Sequence, residues 1–279
     1  MRRIFRRTLL LLGDAPLLRF AELNPLWHFK FGRPLEQLAT LHVRQFFHVA
    51  EMVSFLRYCP NLFSLSCGPH ILRMSENLPP PLELLSLRSL KIANEQMLPC
   101  LTVPRLEQLQ ISRFITMESA TAGMQSLMSR SSCVLQFLSI RVDHATTAQL
   151  QDFLHTASSV VRLKLLFGHR PGFESQLQVL RGPDVLPRLQ HLEIHDHGVS
   201  LYRDLLDMLW TRQLQGPLQS VRIFLSMISL GPSPARIPPD DVMTEFHTLA
   251  RTGLQLQLIT RERGESEFID HTLLDTFGA

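Results

Sequence analysis

The chain has 279 residues, of which 45% are hydrophobic and 19% are charged. A disordered chain has too little apolar surface to offset the entropy of folding, so this composition predicts one large folded domain or two smaller ones. The net charge is only +3, and the basic residues are scattered along the chain. Nucleic-acid binding, which usually relies on a dense basic patch, is therefore not expected.

The first residues, "MRRIFRRTLLLL", place four arginines ahead of a short apolar run. A helix needs about 20 apolar residues to cross a bilayer, so neither this run nor any other stretch predicts a membrane span. We expect residues 1–30 to form an irregular or truncated N-terminal cap of the fold. A mitochondrial presequence is the alternative interpretation of the same residues.

The four cysteines, Cys59, Cys67, Cys100 and Cys133, stand far apart and form no CxxC pair. This spacing predicts neither a zinc site nor a disulfide framework. We expect buried free thiols in a reducing compartment, which indicates the cytoplasm, with the nucleus as the alternative.

The strongest signal in the sequence is the repetition of a short motif of the form LxxLxL. Eight clear copies begin 19 to 29 residues apart, close to the interval of about 20 to 29 residues that is typical of leucine-rich repeats. In each copy the last two apolar residues alternate with another residue, as in a strand with one buried face. The eight copies are Leu38-Leu41-Val43, Leu62-Leu65-Cys67, Leu87-Leu90-Ile92, Leu106-Leu109-Ile111, Leu135-Leu138-Ile140, Val160-Leu163-Leu165, Leu189-Leu192-Ile194 and Leu218-Val221-Ile223. Weaker copies lie at Leu17-Phe20 and at Leu254-Leu256-Leu258.

Between the copies the apolar residues follow a helical period. Leu150, Phe153 and Leu154, for example, predict one apolar stripe that packs on the strands. Proline often precedes the strand motif, as at Pro60 and Pro104, and proline ends a helix. The predicted helical segments are 46–58, 117–131, 145–157, 173–181, 201–213 and 242–250.

Each repeat thus consists of a helix, a turn and a short strand that all run in the same direction. The pattern predicts an α/β fold of the leucine-rich-repeat type, a right-handed solenoid with parallel strands on its concave face and helices on its convex face. We expect a single domain over residues 1–279, with residues 240–279 as its C-terminal cap.

Three segments resemble a known family. They are "FHVAEMVSFLRYCPNLFSLSC", "LRSLKIANEQMLPCLTVPRLEQLQIS" and "MSRSSCVLQFLSIRVDHATTAQLQDFLHTASSVVRLKL". They are similar to the repeat region of fungal, basidiomycete-type F-box proteins, over residues 25 to 224. The resemblance implies that the repeats select a protein for ubiquitination, while an F-box ahead of them binds the Skp adaptor of a cullin-based ligase. The opening "MRRIFRRTLLLLGDAPLLRF" shows no F-box pattern, so Skp binding is expected only if an F-box is hidden there or lies upstream.

The residues between the apolar positions are predicted to face away from the core, onto the concave sheet. In the second half of the chain they include several basic residues on neighbouring strands, which would form a stripe. Arginine binds carboxylates and phosphates well, so the stripe predicts an acidic or phosphorylated protein segment as the ligand. The alternative is a solvated face without a partner. The predicted partner-binding residues are the basic residues Arg141, Arg162, Lys164 and Arg222, the apolar anchor Phe137, and His191 and His195.

An enzymatic or metal-binding function is not expected. The segment "HLEIHDH" puts His191, Glu193, His195 and His197 on one side of an extended strand. Four such side chains spread over roughly 20 Å, whereas zinc ligands lie within about 2 Å of the ion, so we expect neither a metal nor a cofactor. No GxSxG, HExxH or GxxxxGK[ST] motif is present. Two functions remain open: a substrate receptor for ubiquitination, and a stand-alone protein-binding scaffold without a link to a ligase.

Overall fold

The computed structural model describes residues 17–23, 34–44, 48–68, 79–142, 145–167, 174–196, 202–226, 238–261 and 269–272. The chain divides into two compact units, Met1–Leu135 and Gln136–Ala279. Most of the predicted N-terminal cap, including the alternative presequence, lies outside the described residues, as does part of the predicted C-terminal cap.

The first unit contains a parallel sheet. Its described strands are β1 (Phe20–Leu23), β2 (Thr40–Val43), β3 (Ser64–Cys67), β4 (Leu82–Glu83), β5 (Ser89–Ile92), β6 (Leu101–Thr102) and β7 (Gln108–Ile111). Strands β1, β2, β3, β5 and β7 pair in this order, all in parallel. Strands β4 and β6 form a separate parallel pair. The helical elements are α1 (Val49–Leu56), a 3-10 helix (Glu95–Cys100) and α2 (Met117–Ser131).

The second unit repeats the same plan. Its described strands are β8 (Phe137–Arg141), β9 (Arg162–Leu166), β10 (His191–Asp196), β11 (Ser220–Ser226), β12 (Gln255–Arg261) and β13 (Ile269–Thr272). Strands β8 to β12 pair in chain order and in parallel, and β13 pairs antiparallel with β12. The helices are α3 (Thr147–His155), α4 (Glu174–Val179), α5 (Tyr202–Gln215) and α6 (Asp240–Arg251).

The repeated motif forms the core of both units. All three apolar positions of all eight copies are buried, and the most exposed of them, Leu218, has only 5% of its surface accessible. Burying one such side chain contributes roughly 1.5 to 3 kcal/mol, so the motif supplies much of the free energy of folding. The predicted α/β class, the parallel strands and the six helical segments are confirmed. At the weak N-terminal copy the predicted buried side is wrong, because Leu17 and Phe20 are exposed and Ala21 is buried instead.

The same hydrogen bonds hold the start of most of the described strands. The first motif residue closes a turn, as where the backbone N–H of Leu189 donates to the carbonyl of Leu186 at 3.1 Å. Two successive N–H groups then donate to one carbonyl of the strand before. Val161 and Arg162, for example, both donate to Gln136 at 2.9 Å. This arrangement recurs at the same point of successive repeats.

The shortest repeat replaces an α-helix with the 3-10 helix. Only 19 residues separate Leu87 from Leu106, and Pro99 lies inside the helical segment. The buried carboxylate of Glu95 accepts hydrogen bonds from the backbone N–H of Ile115, at 3.0 Å, and from that of Thr116, at 3.3 Å. These N–H groups precede α2, so Glu95 helps to fix the start of the next helix.

Two helices carry, in their last turn, an arginine that binds backbone carbonyls of the preceding repeat. Arg130 of α2 donates to the carbonyls of Leu98 and Leu101, both at 2.9 Å. Arg212 of α5 donates in the same way to the carbonyls of Leu180, Val185 and Leu186. Arg212 is only 2% exposed, and burial lowers the pKa of its guanidinium. These two arginines thus supply side-chain donors to carbonyls of the preceding repeat; the carbonyls of Leu98 and Leu186 also accept a backbone N–H, from Leu101 and Leu189 respectively.

Arg212 also holds a strained turn. Leu186 has a φ of 53°, in the left-handed region that disfavours residues with a side chain. Its carbonyl is one of those bound by Arg212, and its side chain is buried. The loop that leads into β10 therefore depends on a cation from the next helix.

We predict that Arg212→Met lowers the free energy of unfolding by about 2 to 4 kcal/mol, because the carbonyls of Leu180 and Val185 lose the guanidinium donor. The matched control is Arg203→Met on the same helix. Arg203 pairs with Asp241 and Glu245 but is 63% exposed, so its loss is expected to cost less than about 1 kcal/mol. Urea denaturation of both variants checks the prediction, and equal losses would contradict it.

The four cysteines are free and buried, which confirms the expected buried thiols. Burial raises the pKa of Cys59 to about 12 and raises the pKa of the other three thiols as well. Each therefore stays protonated and unreactive near neutral pH. Within the described part of the chain, no helix has the length and hydropathy needed to cross a membrane.

Candidate partner-binding face

Alternate side chains of β8 to β12 point away from the core and form a surface that we call the β8–β12 face. The strand register arranges this face in three rows that run across the strands. The front row is Phe137, Arg162, His191, Ser220 and Gln255; the middle row is Ser139, Lys164, Glu193, Arg222 and Gln257; the rear row is Arg141, Leu166, His195, Phe224 and Ile259. All seven predicted partner-binding residues lie on this face.

The front row combines an aromatic ring, an arginine and a histidine. The guanidinium of Arg162 lies over the ring of Phe137, 5.6 Å from its centroid. This cation–π contact orients the arginine while leaving it exposed to solvent. On the neighbouring strands, Nδ1 of His191 lies 2.7 Å from Oγ of Ser220. Arg162 is thus a preoriented cation at the front of the face.

The middle row contains the one acidic residue of the face. Oε1 of Glu193 lies 2.5 Å from Nζ of Lys164 and 2.5 Å from Nε2 of His195. The hydrogen bond with His195 is the main cause that lowers the pKa of Glu193 to about 2; Lys164 adds to it, and partial burial opposes both. Ser139 is fully buried, so the exposed part of this row begins at Lys164.

The basic residues do not form one continuous stripe. Arg162 lies in the front row, Arg141 lies in the rear row, and Lys164 and Arg222 lie in the middle row on either side of Glu193. The carboxylate of Glu193 compensates Lys164. Arg162 and Arg222 are both exposed, so an anionic ligand would meet these two side chains first.

The rear row is mainly apolar. The ring of His195 stacks on that of Phe224, with centroids 4.2 Å apart and planes at 16°. Leu166 and Ile259 lie on the outer sides of this pair in the same row. Leu166, Phe224 and Ile259 were not among the predicted site residues, which at the position directly after the motif included only Arg141 and His195. The signal that could have identified them is an apolar residue that immediately follows the last motif residue, as Phe224 follows Ile223.

The exposed sheet face of the first unit is chemically different. Its residues on β1, β2, β3, β5 and β7 are mostly small or uncharged, and Glu22 forms an ion pair with the nearby Arg44. The two rows are Phe20, Thr40, Ser64, Ser89 and Gln108, and Glu22, His42, Ser66, Lys91 and Gln110. With Arg44 included, this face has two basic residues and one acidic residue, and the acidic residue is paired with Arg44. The β8–β12 face, with four basic residues and one acidic residue, is therefore the candidate site for an anionic partner.

No group of three or more His, Cys, Asp or Glu side chains among the described residues could hold a metal ion. His191, Glu193 and His195 lie along one strand, and His197 falls outside the described residues. Comparison with protein-family models and with curated proteins gave no match to this chain.

We predict that Glu193 stabilises the fold in a pH-dependent way. Its pKa is lowered from 4.5 to about 2, so its contribution is fully present above its ordinary pKa and is lost as the pH falls through the folded-state value. Glu193→Gln should lower the free energy of unfolding near neutral pH by about 1 to 2 kcal/mol, once solvent screening is allowed for.

Urea denaturation over a series of pH values tests this expectation. The difference between Glu193→Gln and the parent chain should shrink steadily below about pH 4.5, where the unfolded-state carboxylate takes up its proton. Glu107→Gln is the matched control, because Glu107 pairs with Arg88 on an exposed surface. A difference that stays constant down to acid pH would show that Glu193 does not act through its charge.

Proposed function

We propose that this chain is a protein-binding module of the leucine-rich-repeat type, a right-handed solenoid with strands on its concave face and helices on its convex face. The support is the regular interval of the LxxLxL motif together with the parallel, in-register strands within each unit. In such a stack the sheet face is the extended surface available to a partner.

The β8–β12 face binds an acidic or phosphorylated protein segment in this proposal. The observation that carries it is the position of Arg162 and Arg222 on the two strands that flank β10, while the only carboxylate of the face is already held by Lys164 and His195. Two strand spacings and an offset of one row separate the backbones of the two arginines by about 12 Å, which suits two anionic groups on one segment. Guanidinium groups bind carboxylates and phosphates in bidentate fashion. No catalytic step and no cofactor are part of the proposal.

We further propose that the bound protein is a substrate for ubiquitination and that the chain acts in the cytoplasm or the nucleus. This narrower role rests on the resemblance to fungal F-box proteins and on no structural observation. A stand-alone scaffold with the same face is the alternative. A pull-down with purified Skp adaptor tests the receptor role: binding supports it, and failure of the folded chain to bind leaves the scaffold and a receptor whose F-box lies upstream as the two alternatives.

We predict that charge reversal on the face weakens the binding of an acidic probe. The probe is a fluorescein-labelled synthetic peptide of alternating Glu and Ser, followed by fluorescence anisotropy at low salt. Arg162→Glu and Arg222→Glu should each raise its Kd about tenfold or more, because attraction is replaced by repulsion. Arg105→Glu, an equal charge change in an exposed turn of the first unit, should leave the Kd nearly unchanged. Equal effects of all three substitutions on the Kd would show that the peptide responds only to the net charge of the protein, and would contradict a site on this face.

Glu193→Gln should act in the opposite direction. It removes the single negative charge of the face and releases Nζ of Lys164 for the ligand, so the same peptide should bind a few times more tightly. A gain of affinity in a variant that loses stability cannot be attributed to unfolding. Unchanged or weaker binding by Glu193→Gln would show that Glu193 does not compete with the ligand for Lys164.

A further inference from the structure

The rear row adds a feature that charge alone does not explain. Leu166, Phe224 and Ile259 lie on β9, β11 and β12, and His195 fills the position on β10 between the first two. All four are partly exposed. Apolar side chains that line one side of a charged row are a common feature of peptide-binding surfaces.

The two kinds of side chain lie close together. Residues of the middle and rear rows are two positions apart on each strand, which places them about 7 Å from each other. Arg222 and Phe224 are such a pair on β11, and Lys164 and Leu166 are another on β9. A purely acidic segment would leave carboxylates against Phe224 and Ile259, where they lose hydration without gaining a partner. A segment with one acidic side and one apolar side avoids this cost.

The spacing of the strands also favours one conformation of the ligand. The rows run across strands that are about 4.8 Å apart, and an α-helix laid along them repeats every 5.4 Å, about one turn per strand. In an extended segment, successive side chains on one face are about 6.7 Å apart. This interval differs from the strand spacing, so the side chains no longer coincide with the strands after the second strand. The row from Leu166 to Ile259 crosses four strands, enough for about three helical turns.

We propose that the β8–β12 face binds an amphipathic acidic helix, whose apolar stripe packs on Leu166, Phe224 and Ile259 while its acidic side chains reach Arg222 and Arg162. The inference rests on the proposed function and specifies its ligand. The helix axis runs across the strands, along the middle and rear rows.

Three fluorescein-labelled synthetic peptides of equal net charge test the proposal. The first is a helix-forming peptide with a leucine stripe and an adjacent glutamate stripe; the second has serine in place of every leucine; the third carries a central proline that prevents the helix. The first should bind at least about fivefold more tightly than each of the others, because burial of an apolar side chain contributes about 1 kcal/mol or more. Circular dichroism should show a gain of helix when the first peptide binds.

Protein variants locate the contact. Ile259→Thr, and separately Leu166→Thr, should weaken the leucine peptide about fivefold and leave the serine peptide unchanged, since only the leucine peptide uses the rear row. The matched control is Ile115→Thr, an exposed isoleucine of the first unit, which should change neither. A cooperative thermal unfolding transition for each variant confirms that it is folded. Because Leu166 and Ile259 lie on different strands, the test remains possible if one of the two variants does not fold.

The outcomes separate this inference from the function on which it rests. Suppose that Arg222→Glu loses affinity, while the leucine and serine peptides bind equally well and Ile259→Thr has no effect. This result would overturn the amphipathic helix as the ligand but would still support an acidic ligand. Equal binding of the proline and leucine peptides would also overturn the helical ligand. No effect of Arg222→Glu on any peptide, or displacement of the leucine peptide by a single-stranded oligonucleotide through the same residues, would overturn the proposed function itself.

Discussion

Seven of the described strands begin with two successive backbone N–H groups that bind one carbonyl of the neighbouring strand, as Gln190 and His191 bind Val161. The apolar pattern of the repeats selects this register, because a shift of one residue would turn the apolar side chains to the exposed face. The apolar positions of successive repeats are thereby kept on the buried side, and the residues between them are kept on the exposed side. Core and candidate site are therefore two consequences of one register, and a shift of one residue in any strand would exchange them.

The register explains why the β8–β12 face has a chemistry that no single repeat possesses. Lys164 and Glu193 are 29 residues apart in the sequence but are neighbours on adjacent strands. The pairing neutralises one cation, engages His195, and leaves Arg162 and Arg222 exposed on either side of β10. In the rear row, the same register aligns Leu166, Phe224 and Ile259 beside the charges. Repetition in the sequence thus becomes a surface with a charged side and an apolar side.

Much of this architecture could be predicted from the sequence, because the burial of leucines with a fixed period leaves a strong pattern. The strands at Leu62-Leu65-Cys67 and at Leu189-Leu192-Ile194, and the helix Met117–Ser131, followed directly from it. Features that depend on contacts between repeats were missed. The bonds of Arg130 and Arg212 to carbonyls leave no pattern in the sequence, since the acceptors are backbone atoms. The alternating charges of Lys164, Glu193 and Arg222 could not be predicted without the strand register. The same is true of the apolar rear row, whose residues directly follow the motif.

The proposed acidic partner lies across β9, β10 and β11 on the exposed sheet face. A photo-crosslinking group at the centre of the acidic, leucine-containing peptide tests this most directly, with mass spectrometry to identify the residues that it modifies. We expect crosslinks at exposed residues of these strands, above all in the middle and rear rows between Lys164 and Phe224. Crosslinks concentrated on the helices, or on the sheet face of the first unit, would contradict it.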